Sequence, residues 1–197
     1  MNEQRTGEVK MSLKKATLWA AAILVIWGGS ALGQQSLGDL AKGEGLGWIA
    51  GRWTATIDDG QTIDLIYKWE LDGHLASMDF KMGEYAYKAM IFYDATESKV
   101  VEVGVDSKGG QSKGSWDVEG ENLVSTTNKR DNEGKTQKIA IVHTKGRGRT
   151  MKVEVYSVDE YGSRAAEPWT TVEFKRKAPK AGTRAGRSNA KAQNKTN

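Results

Sequence analysis

Between Trp48 and Phe174 the chain repeats a single pattern: a run in which apolar and polar residues alternate, a short turn rich in Gly, Asp and Asn, then another alternating run. A period of two is the signature of a β-strand with one buried face. In TIDLIYKWEL it sets Ile63, Leu65, Tyr67, Trp69 and Leu71 against Asp64, Ile66, Lys68 and Glu70. Leu71-Asp72-Gly73-His74 supplies a turn, and Ala76, Met78, Phe80 and Met82 then alternate with Leu75, Ser77, Asp79 and Lys81 on the way back. This is the grammar of a hairpin.

The same grammar continues through YAYKAMIFYD, KVVEVGVD, QSKGSWDV, LVSTTNKR, TQKIAIVH, RTMKVEVYSV and WTTVEFK. Counting the opening WIAGRWTAT, ten strands are expected, and no segment between Trp48 and Phe174 is long and periodic enough for a helix. Short turns favour an all-β, antiparallel up-and-down meander, and a sheet of about ten strands tends to close into a barrel, which removes its edges. A sandwich is the alternative, but its Greek-key connections need long crossovers. Only Asp159 to Pro168 offers one.

The ends of the chain read differently. Lys14 and Lys15 precede an uncharged run from Ala16 to Trp27, followed by Ser30-Ala31-Leu32-Gly33. A basic start, an apolar stretch and a small-residue ending predict an export signal over 1–33, cleaved after Gly33. An uncleaved anchor is the competing reading, because Gly28, Gly29, Ala31 and Leu32 extend the apolar span. Residues 34–46 read as a linker, 47–177 as the barrel and 178–197 as a basic disordered tail. From Lys175 to Asn197 there are eight Lys or Arg and no Asp or Glu, with no apolar periodicity. Removing that +8, and the +2 of residues 1–33, from the formal net charge of +4 leaves −6 for residues 34–174. The basic character therefore belongs to the tail.

An exported location, periplasmic or extracellular, makes an anionic envelope surface a more fitting partner for the tail than nucleic acid. The tail also has no aromatic residue for base stacking. A solubilising end with no partner is the plainer reading. The chain has no cysteine, which excludes thiol catalysis and cysteine-ligated metals, and the barrel must hold by its core alone.

Gly51-Arg52-Trp53, with Trp48 and Ile49 ahead of it, resembles the G-x-W element that opens calycin barrels: lipocalins, fatty-acid-binding proteins and nitrobindin-like barrels. The wider string, with Gly109-Gly110-Gln111 before Gly114-Ser115-Trp116, is similar to secreted bacterial lipocalin-like domains of unknown function. The resemblance covers residues 45–177. It implies that Trp48, Gly51 and Trp53 close one end of the barrel, and that a small hydrophobic or amphipathic molecule is bound inside. Nitrobindin-like members hold haem through a histidine near the end of the barrel sequence. Trp169 to Lys177 contains none, and this departure argues against haem.

Of the two histidines, His74 follows a turn and reads as an exposed polar residue, while His143 alternates with Ile139 and Ile141 and points inward. A lone inward histidine is more often a satisfied core group than a ligand; if a haem or metal is bound nevertheless, His143 is the candidate. Glu102 and Asp106 alternate with Val101, Val103 and Val105, and so read as strand exterior. No nucleophile elbow, phosphate loop or His-Glu-x-x-His motif is present, so no catalytic or metal-binding residue is assigned.

Three functions follow. The first is an exported barrel binding a small amphipathic molecule through inward candidates Tyr67, Met78, Phe80, Met82, Tyr87, His143 and Met151, whose soft and aromatic side chains suit an adaptable cavity or, equally, a filled core. The second is an envelope-associated module using the basic tail. The third, with no motif behind it, is an enzyme acting on a small molecule or lipid.

Overall fold

The computed structural model describes residues 36–178; the expected export signal and almost all of the basic tail lie outside them. Ten antiparallel strands follow one another in sequence order and close into a barrel. They are β1 (Gly51–Thr56), β2 (Thr62–Glu70), β3 (Leu75–Met82), β4 (Tyr85–Asp94), β5 (Lys99–Asp106), β6 (Gln111–Glu119), β7 (Asn122–Arg130), β8 (Thr136–Lys145), β9 (Thr150–Ser157) and β10 (Thr170–Arg176). The sandwich is thereby excluded.

Each neighbouring pair is joined in long register except the closing one. There β1 and β10 pair at Trp53–Arg176 and Thr54–Lys175 alone. The loop that looked like a crossover runs from β9 to β10, and it bridges back to its own start at Val158–Arg164. Arg164 pairs with Glu119 and lies over the Tyr156 ring, 5.9 Å from its centroid. On that outer wall Val124, Ala140 and Val142 are buried against Tyr156 and Val158, a small cluster separate from the lumen.

The period-two pattern decides which side chains enter the lumen. Ile63, Leu65 and Tyr67 of β2, Ala76 and Met78 of β3, and Ala89 and Ile91 of β4 form one buried core with Trp53, Trp116, Met151, Val153 and Phe174. Burial of this apolar surface stabilises the barrel at about 25 cal/mol per Å².

One end is sealed by chain that precedes the barrel. In the segment expected to be a linker, helix α1 (Leu37–Gly43) is capped by Ser36, whose hydroxyl accepts from the Asp39 N–H at 3.1 Å. Gly38 packs on the ring of Trp69 and on Gly73, so the helix sits against the turn between β2 and β3. A single 3-10 turn, Gly47–Ile49, follows and places Trp48 outside the first strand. Trp53 donates its indole N–H to the Ile49 carbonyl at 2.8 Å, and the Trp48 and Trp53 rings meet edge to face with centroids 6.3 Å apart. Gly51 has φ 146°, a conformation that a side chain disfavours, and a Cβ there would fall 2.7 Å from the Arg176 guanidinium. That guanidinium donates to the Ala50 carbonyl and lies over Trp53.

Candidate functional site

The lumen divides into a filled half and an accessible half. Toward the sealed end, Tyr67, Trp116, His143, Met151 and Phe174 are all buried, and Met151 is 0 % exposed. Toward the other rim, Phe80, Met82, Tyr87, Ile139, Ile141, Val155 and Val172 share the inward parity of those core residues but are only half-buried. Ala55, Ile63, Ser112 and Thr127 at the same rim are buried, so the exposure is confined to inward residues of β3, β4 and β8 to β10. The wall of β8 to β10 and β2 to β3 is apolar there. The facing wall, β4 to β7, is polar.

The polar wall is built around Glu102. It was expected outside; it faces the lumen and is 3 % exposed. The register explains the reversal. Glu102 pairs with Ile91 of β4 and Gly104 with Ala89, and those β4 residues point inward. Val101, Val103 and Val105 therefore take the outward parity, on which Val105 is 52 % exposed and Val101 is buried, while Val100 packs on the lumen core. Asp106 shares the inward parity, opposite Tyr87, at the open rim.

Glu102 accepts from the Trp116 indole N–H at 2.6 Å, the Ser125 hydroxyl at 3.2 Å and the Tyr87 hydroxyl at 2.7 Å. Because Tyr87 spends its proton on Glu102, its 2.6 Å contact with Ser112 must be donated by the serine. Ser125 likewise spends its proton on Glu102, so Thr127 donates to Ser125 at 3.0 Å. All of these hydrogen bonds run toward one carboxylate. Burial, and then the charge of Glu102, push the Tyr87 and Tyr67 hydroxyls well above the ordinary tyrosine range, so both stay protonated donors.

The partners of Glu102 are neutral donors, and buried charges are normally paired with an opposite charge. Two glycines of this wall allow close approach, Gly104 to Tyr87 and Gly114 to β7. A Cβ on Gly104 would fall 2.1 Å from the Tyr87 hydroxyl oxygen, and one on Gly114 would fall 2.3 Å from the Thr126 carbonyl oxygen.

Deeper in, His143 stacks on Trp116 with ring centroids 5.1 Å apart. Its Nδ1 lies 3.3 Å from the Leu123 carbonyl oxygen, which can only accept, so that nitrogen carries the proton. Its Nε2 then accepts from the Tyr67 hydroxyl at 2.9 Å. Burial lowers its pKa to about 4, against the pull of the Leu123 and Ile141 carbonyls, and the ring is neutral at pH 7. Both nitrogens are engaged, which leaves none directed at a metal or haem iron. Among the described residues no group of three His, Asp or Glu could hold a metal ion.

At the rim a second cluster joins Tyr85, Asp106 and Lys129. Lys129 donates to the Tyr85 hydroxyl at 2.7 Å and lies 3.4 Å from Asp106, which also accepts from Tyr85 at 3.2 Å. Burial opposes ionisation of Asp106, but hydrogen bonds from the Gly110 and Lys108 N–H groups, Lys129 and Tyr85 hold its carboxyl below the usual range.

The inward candidates thus fall into two sets. Tyr67, Met78, His143 and Met151 belong to the filled half; Phe80, Met82 and Tyr87 stand in the accessible half. Trp48, Gly51 and Trp53 lie together at the sealed end, and His74 is exposed. Glu102, Ser112, Ser125 and Thr127 were missed. A usable signal existed in Trp116: once its ring is inward, alternate positions bring Gly114 and Ser112 to the same face, and their neighbours across the sheet are Glu102 and Gly104.

No protein-family profile matches the chain, and no curated protein is significantly similar to it.

Proposed function

We propose that the barrel, in an exported lipocalin-like protein, takes a small amphipathic molecule into the accessible half of its lumen. The observation behind this reading is the partial exposure of inward-facing apolar side chains at one rim while the opposite end is sealed by Trp48, Trp53 and helix α1. An apolar body would lie on Phe80, Met82, Ile139 and Val155. A polar end would meet Tyr87 and the Lys129–Asp106 pair. Among the described residues every buried side-chain N or O atom has a hydrogen-bond partner, so the deep half needs no ligand to complete it. This supports a binding region toward the rim.

A neutral fluorescent probe, N-phenyl-1-naphthylamine, tests this. Saturable binding to the wild type is expected, weakened about tenfold or more by Val155→Trp, which fills the accessible half, and unaffected by Met90→Trp on the outer wall. Absence of saturable binding, or equal binding by V155W, would overturn the reading.

A second reading gives the basic tail an anionic envelope surface as partner. It is supported by the place where the chain leaves the barrel, at Lys177 beside Arg52, Arg149 and Arg176. Deleting 179–197 should release the protein from anionic envelope preparations at low salt; undiminished retention would remove this reading.

A further inference from the structure

A depression of about 700 Å³ lies on the outer wall near the sealed end, lined by Arg52, Lys68, Arg149, Arg176 and Lys177 around Gly51 and Ile66. The five cations come from β1, β2, the β8–β9 turn and the end of β10, so only the closed fold brings them together. Composition does not account for the gathering. Residues 34–174 carry a net charge of −6, yet three of the five cations, Arg52, Lys68 and Arg149, belong to that acidic stretch. Like charges held in one depression repel, and the repulsion is relieved by a bound counter-charge.

The site is also ordered in advance. Arg176 is held by the Ala50 carbonyl and the Trp53 face, and Arg149 donates to the Lys177 carbonyl at 3.3 Å. Arg52 and Lys177 converge on one carboxylate, Asp64, at 3.5 and 3.2 Å. Among the described residues Lys68, Arg149 and Arg176 have no carboxylate within ion-pair distance.

We propose that this depression binds a phosphate-bearing anion through Arg52, Lys68, Arg149, Arg176 and Lys177. Guanidinium forks match two phosphate oxygens at once, and lysine adds a compact point charge. Five cations against one carboxylate suit a ligand with more than one negative charge, of the pyrophosphate or phosphate monoester class. The proposal stands whether or not the rim half of the lumen takes a ligand.

Calorimetric titration of the full chain with inorganic pyrophosphate tests it. Saturable binding is expected, weakened tenfold or more in the double variant Lys68→Glu/Arg149→Glu, since each charged hydrogen bond is worth roughly tenfold. The double variant Lys108→Glu/Lys135→Glu carries the same change in net charge on exposed turns, keeps the tail, and should bind as the wild type does. Equal Tm values for the three proteins show that the barrel is intact. Binding confined to phosphatidylcholine vesicles containing phosphatidic acid, and lost in K68E/R149E, keeps the site and makes its ligand a lipid headgroup. Equal pyrophosphate affinity in the two double variants, or no saturable binding of either probe by the wild type, overturns the proposal.

Discussion

Glu102 is the side chain on which most of the interior polar bonding converges, and its replacement separates a structural acceptor from a dispensable one. Glu102→Ala leaves the Trp116 N–H and the Tyr87 and Ser125 hydroxyls facing the lumen without their acceptor. Each orphaned donor costs about 1–3 kcal/mol, so a loss of at least about 3 kcal/mol is expected in urea unfolding. Glu102→Gln keeps one acceptor oxygen but turns an NH2 group toward donors, and should cost less than E102A. His143 gives a pH dependence whose sign follows from its folded pKa of about 4 against about 6.5 when unfolded. The unfolded state takes up the proton first. The neutral ring therefore contributes fully above pH 6.5, and its contribution is lost as pH falls toward 4. Between pH 7 and 5 this one group should lower stability by about 2 kcal/mol. His143→Gln should flatten that part of the profile; an unchanged slope would show that another group is responsible.

At the scale of elements, the strands were legible because a half-buried strand writes its period into the sequence, as in Ile63, Leu65 and Tyr67. Helix α1 was not, since seven residues capped by Ser36 hold too few turns to show a helical period. β5 was read inside out for a different reason. Its valines and its Glu102–Gly104 face both alternate, and only the partner strands decide which one meets the core. Hydrophobicity alone picks the wrong face when the lumen wall is polar. The glycines of β5 and β6 carry the missing information, because each makes room for a neighbour. Gly114→Ala would drive a methyl group into the Thr126 carbonyl of β7, which is backbone and cannot turn aside. A loss of roughly 2–3 kcal/mol is expected from separating the two strands, measured by urea unfolding. At the sealed end, Trp53→Ala removes a ring that is 2 % exposed and should cost about 3–5 kcal/mol by the same measurement.

For the whole molecule, the meander places chemically different faces on one closed sheet. The lumen is apolar on one side and polar on the other, filled at the sealed end and accessible at the rim, while the outer wall gathers cations where the chain leaves the barrel. Closure itself was legible from ten successive strands with short turns. The division of the lumen was not, because it depends on which inward residues meet across the barrel, and no local pattern records that. A ligand carried in the lumen would add to the native mass. The direct test is native mass spectrometry of the tag-free protein from its own host, against its denatured mass. The expected result is an excess mass of a small amphipathic molecule that disappears on denaturation and is missing in V155W. A native mass equal to the denatured mass, from protein that also fails to take up N-phenyl-1-naphthylamine, would contradict it.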